Sequence, residues 1–297
     1  MSDQTYGVIG LGSMGMGMAC SLRRAGLATI ACDINPAACE AFAHVGGKIA
    51  ATSMEIAAVS DVLFLVVVNA AQVKDVLFGT GQAAKSLRHG SLVVGCSTVN
   101  PVFAKDMEKR LEEFGLLYLD APISGGAAKA AAGEITVMAS GSPEAFAKAE
   151  RGFSVIAAKV YCMGNEAGSG SAMKMVNQLL AGVHIAAAAE AMALGLRMGL
   201  EARTVYDVIT NAAGNSWMFE NRMAHVVEGD YTPFSAVNIF IKDLGMVTDT
   251  ARDQDMPVPM AATALQQFVT AKAAGYGLED DSAVIKIFPG ITLPEKD

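Results

Sequence analysis

The chain lacks a metal-binding spacing, an excess of positive charge and an apolar run long enough to cross a bilayer, and each absence removes a class of function. Its five cysteines (Cys20, Cys32, Cys39, Cys96 and Cys162) form no C-x-x-C pair, and its four histidines (His44, His89, His184 and His225) fall into no ligand pattern. No metal is therefore expected, and the odd set of thiols reads as reduced, in a cytoplasmic setting. With 22 Lys and Arg against 30 Asp and Glu, the net charge of −8 argues against a nucleic-acid partner, which calls for a basic face. Apolar stretches such as Val62-Leu63-Phe64-Leu65-Val66-Val67-Val68 are strand-sized, far short of the ~20 residues a membrane span needs. The start, Met1-Ser2-Asp3-Gln4, is polar and carries no basic cluster, so no signal peptide is expected. Repeats and low-complexity tracts are missing too. What remains, in 297 residues, is room for one large or two medium globular domains.

The richest segment is the first thirty-three residues. Val8-Ile9 is followed by Gly10-Leu11-Gly12-Ser13-Met14-Gly15, a G-x-G-x-x-G that leaves an apolar run and enters a helix-like one. In that context the glycines permit a tight turn, close approach of a pyrophosphate and close helix–strand packing. The helix N-terminus offers its unpaired N–H groups to the phosphates. Asp33 ends a second strand-like run eighteen residues after Gly15, where its carboxylate can accept the hydroxyls of an adenosine ribose. Fingerprint, helix and acid together predict a dinucleotide site made of residues 10–15 and Asp33. Asp33 would repel a 2′-phosphate and Ile34-Asn35-Pro36 supplies no arginine beside it, so NAD is expected in preference to NADP.

Strand-like segments near 6–10, 28–33, 61–68, 91–96 and 116–120 alternate with helix-like ones at 13–25, 36–44, 70–78 and 101–114. This rhythm predicts an α/β, doubly wound parallel sheet, a Rossmann domain over residues 1–163. Segments 135–140 and 159–163 flank a helix opened by Ser142-Pro143 and should extend the sheet. From 168 to 197 the chain has no proline and is rich in Ala, Met and Leu. One helix there would run ~45 Å and found a second, all-helical domain over 164–297, with further helices near 202–212, 216–227, 235–252 and 259–275. The small residues of the long helix suit close packing, including against a second subunit. The tail from Pro289 onward is expected to fray.

Three further segments can carry chemistry. In Asp120-Ala121-Pro122-Ile123-Ser124-Gly125-Gly126, glycines past a strand end expose backbone N–H groups beside a serine hydroxyl, a small anion cradle. A plain turn explains the same residues, but the position at a strand's carboxyl end favours binding. In Gly168-Ser169-Gly170-Ser171-Ala172-Met173-Lys174-Met175-Val176-Asn177-Gln178, Lys174 is the one cation in an otherwise uncharged run. On a helix Asn177 and Gln178 share its face. A lysine withdrawn from water has a lowered pKa and can exchange a proton with an alcohol. His184 lies ten residues further on and is assigned to packing. In Phe240-Ile241-Lys242-Asp243-Leu244, the adjacent Lys and Asp are by spacing alone no more than a solvated helix face.

Taken in order, these motifs resemble the β-hydroxyacid dehydrogenases, the group of the 3-hydroxyisobutyrate dehydrogenases. G-L-G-x-M-G, D-A-P-x-S-G-G, G-x-G-x-x-x-K-x-x-N and K-D-L are all present, and Ser97-Thr98-Val99-Asn100-Pro101 is similar to the family's S-T-x-x-P loop. The resemblance implies Lys174 as catalytic acid/base, Ser124, Gly125 and Gly126 on the substrate carboxylate, Thr98 beside the nicotinamide ribose, and Lys242 and Asp243 closing over substrate and cofactor. In much of the family an asparagine stands four residues after the catalytic lysine. Here that position is Gln178, with Asn177 before it, so either amide could meet the substrate. This pair, with Gly214-Asn215-Ser216-Trp217-Met218-Phe219-Glu220-Asn221-Arg222, looks most like the branch that oxidises the 2-hydroxyl of L-threonate, a four-carbon sugar acid. Other β-hydroxyacids are the alternative substrates. An imine reductase is disfavoured by the lysine, a non-catalytic dinucleotide sensor by the intact cradle. A homodimer or homotetramer formed through the helical domain is expected from the small-residue face of the long helix.

Overall fold

The alternating first half of the chain folds into one nine-stranded sheet. The computed structural model describes residues 4–296. Its strands are β1 (Thr5–Ile9), β2 (Ala28–Cys32), β3 (Lys48–Ile49), β4 (Val62–Leu65), β5 (Leu92–Gly95), β6 (Leu117–Asp120), β7 (Ile123–Ser124), β8 (Ile135–Gly141) and β9 (Ala157–Cys162). The first six run parallel in the order β3-β2-β1-β4-β5-β6, the dinucleotide-binding arrangement. β4 and β5 are apolar along their whole length because helices cover both faces of a parallel sheet. The expected extension is present, but β8 lies antiparallel to β6 and β7, with β9 parallel to β8. Strand direction has no signature in an apolar run, so only the pairing itself reveals it.

Helices appear where the sequence placed them: Ser13–Arg24, Pro36–His44, Ala70–Phe78, Pro101–Glu112 and Pro143–Ile156. Three open on proline behind a capping Asn35, Asn100 or Ser142, whose side chain accepts a backbone N–H of the first turn. A seven-residue helix, Ser53–Val59, is an addition to that reading. Thr52 accepts the Glu55 N–H and Glu55 accepts the Ala51 N–H, so a T-x-x-E signal for it was present.

The chain divides into two compact units, one ending at Lys174 and the other starting at Met175, within the helix Ser169–Arg197. Against the expectation that no apolar run reaches spanning length, that helix is by length and composition apolar enough to cross a membrane, but half of its most apolar stretch is buried inside the protein. Met175, Ile185, Ala189 and Met192 sit in the core of the second unit. The unit is completed by Ala202–Thr210, Trp217–Glu228, Val237–Asp253 and Pro259–Ala271. Phe240 and Phe268 stack across the last two with ring centroids 5.3 Å apart.

The tail departs from expectation. Ile291 and Leu293 pack on the second core, Gly290 accepts an Arg197 N–H, and Lys296 pairs with Asp230 at 2.8 Å. Residues 290–296 are thus held by apolar and charged contacts that their proline- and charge-rich sequence does not advertise. Asp297 lies outside the described residues.

Candidate active site

At the carboxyl end of β1 the chain turns through Gly10 at φ +98°, a conformation that L side chains rarely adopt. The other two fingerprint glycines differ in kind. A Cβ on Gly15 would stand 1.8 Å from the Gly10 carbonyl oxygen, so Gly15 is required by the fold. A Cβ on Gly12 would meet no described atom within 4 Å. Gly12 also opens the helix Ser13–Arg24, whose first turn has neither a side-chain cap among the described residues nor an acid. An open backbone at a bare helix N-terminus suits a pyrophosphate. Asp33, just past β2, accepts the Leu11 N–H at 2.5 Å and the Asn35 N–H at 2.7 Å, which ties its carboxylate to the glycine loop. The lone pairs left over can take ribose hydroxyls. The residues therefore fit a dinucleotide, laid beside β1 and β4, where the strand order reverses. Past β5, Ser97 donates to the Val67 carbonyl at 2.7 Å and Asn100 caps the next helix, leaving the half-buried Thr98 on the short loop between them.

β6 ends in the fully buried Asp120, whose role the sequence reading missed. Its Oδ2 accepts the Gly168 and Ser171 N–H groups at 2.9 and 2.8 Å, and the Ser171 hydroxyl donates to Oδ1 at 2.6 Å. The Ser140 hydroxyl accepts the Gly170 N–H at 3.0 Å. Gly170 admits this approach because a Cβ there would lie 2.4 Å from the Met138 carbonyl oxygen. Burial pushes the Asp120 carboxyl up from its ordinary value, and these donors oppose the shift. The first turn of the long helix is thus clamped to β6 and β8, three residues before Lys174. The only sequence trace of the clamp is the pairing of the Asp in D-A-P with the two glycines of G-x-G. Four residues past Asp120, β7 presents Ser124, followed by Gly125 and Gly126 at φ +136° and +77°. Gly126 is exposed and its Cβ position is open, as an anion cradle requires.

Lys174 is only 7% exposed, as is Gln178 one turn along the same helix. In the second unit the remaining expected residues form one hydrogen-bonded chain. Lys242 Nζ donates to Asp243 Oδ1 at 2.5 Å, and Gln178 Nε2 donates to Asp243 Oδ2 at 2.5 Å. Asn177 Nδ2 donates to Gln178 Oε1 at 2.9 Å. Asp243 is buried, so it is no solvated helix face, and the Lys242 ammonium balances its charge. Each unit brings its own set together: the fingerprint with Asp33, and Asp120 with the first turn of the Lys174 helix, in the first; Asn177, Gln178, Lys242 and Asp243 in the second.

The family model for the NAD binding domain of 6-phosphogluconate dehydrogenase matches residues 5–164, and that for the NAD-binding domain of NADP-dependent 3-hydroxyisobutyrate dehydrogenase matches residues 168–288. L-threonate dehydrogenase of Cupriavidus necator is 58% identical over 294 residues, 99% of each chain. The enzyme of that name from Escherichia coli K12 is 56% identical, over 99% of this chain and 97% of its own. A crystal structure described as 3-hydroxyisobutyrate dehydrogenase from Salmonella typhimurium shares 55% identity at a TM-score of 0.93, covering 96% of this chain and all of its own. With a buried lysine, a dinucleotide fingerprint and full-length identity of this order, the chain belongs to the β-hydroxyacid dehydrogenase family, on its L-threonate dehydrogenase branch.

Proposed function

We propose that the protein oxidises the 2-hydroxyl of L-threonate with NAD, using Lys174 as the acid/base. The observation that carries this reading is a lysine only 7% exposed on a helix whose first turn is clamped by Asp120, with Asn177 and Gln178 on the same face. As a neutral amine, Lys174 takes the proton from the hydroxyl while the hydrogen on the same carbon leaves with its electron pair, giving the 2-oxo acid. Bound NAD supplies the acceptor for that hydride. Ser124 and the N–H groups of Gly125 and Gly126 hold the substrate carboxylate, which fixes which carbon faces the acceptor. Orientation of this kind supplies much of such a rate. Lys242 and Thr98 serve the cofactor side.

Preference for NAD rests on Asp33, whose carboxylate repels a 2′-phosphate, and on the exposed Ile34 next to it, which offers no compensating cation. The second unit exposes Val176, Leu180 and Leu194 along one side of the long helix. This apolar stripe supports a homodimer or homotetramer built through that unit. Five free thiols support a reducing, cytoplasmic compartment.

The test is reduction of NAD by the purified protein with L-threonate, D-threonate, erythronate, glycerate, 3-hydroxyisobutyrate and 3-hydroxypropionate, each repeated with NADP. L-threonate with NAD should give the highest kcat/KM. A higher value with 3-hydroxyisobutyrate, the compound in the Salmonella protein's description, moves the assignment to that reading. Absence of turnover with every acid refutes a dehydrogenase of this class.

A further inference from the structure

Resting on the proposed reaction, we propose that Gln178 does not touch the substrate but is a positioning residue, the middle member of a relay from Asp243 to Asn177. Both ends of its amide are committed. Asp243 is a buried carboxylate and can only accept, so the Gln178 edge facing it at 2.5 Å is the NH2 edge. The carbonyl edge then faces away and accepts the Asn177 N–H at 2.9 Å. This orientation follows from the chemistry of the partners. Asn177 gives one N–H to the relay and keeps its carbonyl oxygen and second N–H for the substrate oxygen that trades a proton with Lys174, three residues before it on the helix.

The side-chain length at 178 is part of the device. The helices Ser169–Arg197 and Val237–Asp253 carry the two ends of the Gln178–Asp243 bond, and one methylene fewer would withdraw the amide from a carboxylate it meets at 2.5 Å. Lys242 donates to the other carboxylate oxygen, so both oxygens of Asp243 serve as acceptors. An asparagine at 178, the residue the family resemblance implies, could not make this bond in the same geometry. In this chain the substrate contact thus passes from position 178 to Asn177.

The experiment exchanges donor and acceptor. Gln178→Glu sets two carboxylates against each other, and they must share a proton. Below the pKa of that pair the protonated carboxyl reproduces the amide's donor and acceptor; above it the relay breaks. Relative to the native protein, kcat should therefore fall as pH rises, by ~10-fold or more across the transition, with NADH affinity unchanged. Combining Gln178→Glu with Asp243→Asn restores a donor at 243 and an acceptor at 178, and should return kcat to within ~3-fold of native. If Gln178 touched the substrate, the double variant would hold a carboxylate against the substrate's oxygens and would not recover. Lack of rescue, or a Gln178→Glu variant with the native pH profile, overturns the relay.

Thermal midpoints of the cofactor-free proteins give a readout independent of substrate. Gln178→Glu should be destabilised at high pH and recover in the double variant. Should the wild type fail to oxidise L-threonate while this thermal coupling holds, the assigned reaction fails and the relay geometry stands. Should Gln178→Glu not fold, Gln178→Asn serves: it should lower kcat by ~10-fold, and an unchanged kcat overturns the proposal.

Discussion

The two units hold their carboxylates in different ways. In the first, the half-buried Asp33 accepts from the N–H groups of Leu11 and Asn35, and the buried Asp120 from those of Gly168 and Ser171 and from the Ser171 hydroxyl. In the second, Asp243 accepts from the Gln178 and Lys242 side chains, and Asp281 from the Arg222 guanidinium. Asp280 is the exception there, taking the Phe234 and Ser282 N–H groups. Backbone donors come with the fold, and no substitution other than proline removes them. Side-chain donors can be exchanged, provided both partners change together. The fingerprint is built of backbone, whereas Asn177, Gln178 and Asp243 meet one another through side chains.

The largest test of that contrast is the Arg222–Asp281 pair. Burial pushes the Asp281 carboxyl up to about 6, with the guanidinium beside it working the other way. Asp281→Ala strands a buried guanidinium and should cost ~3–5 kcal/mol in urea unfolding followed by Trp217 fluorescence. Replacing both partners, Arg222→Met with Asp281→Leu, should recover most of that loss. The matching pair in the first unit, Asp120→Leu with Ser171→Ala, should recover nothing. The N–H groups of Gly168 and Ser171 remain, each costing ~1–3 kcal/mol when buried without an acceptor. Equal recovery in both units would break the comparison.

Next in size is Lys174→Ala. Turnover should fall by ~100-fold or more, the lower range for a lost acid/base, while NADH still binds with native affinity. Retained binding would show that the backbone-built cofactor site is indifferent to the reacting group. Near-native turnover would remove Lys174 from the mechanism.

Much of this was legible because it is local. The fingerprint, the proline-opened helices and the all-helical second unit each follow from residues within one or two turns of one another. The Asp120 clamp was not, because its bonds span 48 and 51 residues and the glycines it requires look like ordinary loop residues. Asp243 was read as a solvated face, since an adjacent Lys–Asp pair on a helix usually is one. Only its burial against Gln178, 65 residues away, shows otherwise. The motif resemblance names the residues, but it does not distinguish groups that would touch substrate from groups that hold them.

A smaller effect is expected at Asp33. On the proposed preference for NAD, Asp33→Asn removes the charge that would repel a 2′-phosphate, and it weakens the bond to Leu11 N–H. The ratio of kcat/KM for NADP to that for NAD should rise ~10-fold, about the value of one hydrogen bond to a charged group. An unchanged ratio would mean that cofactor choice does not reside in this carboxylate.

The smallest change in stability, and one of opposite sign, is expected inside the fingerprint. Gly12 has φ −67° and an open Cβ position, so Gly12→Ala introduces no strain and restricts the unfolded chain. The cofactor-free protein should become more stable by ~0.5 kcal/mol. The same methyl stands where the pyrophosphate must approach the backbone, so NADH affinity should fall. Gly15→Ala, aimed at the Gly10 carbonyl, should instead lower stability and affinity together. If Gly12→Ala were to leave NADH affinity intact, the phosphates would lie elsewhere on the loop. Stability and binding moving in opposite directions would instead separate the glycine that the cofactor needs from the one that the fold needs.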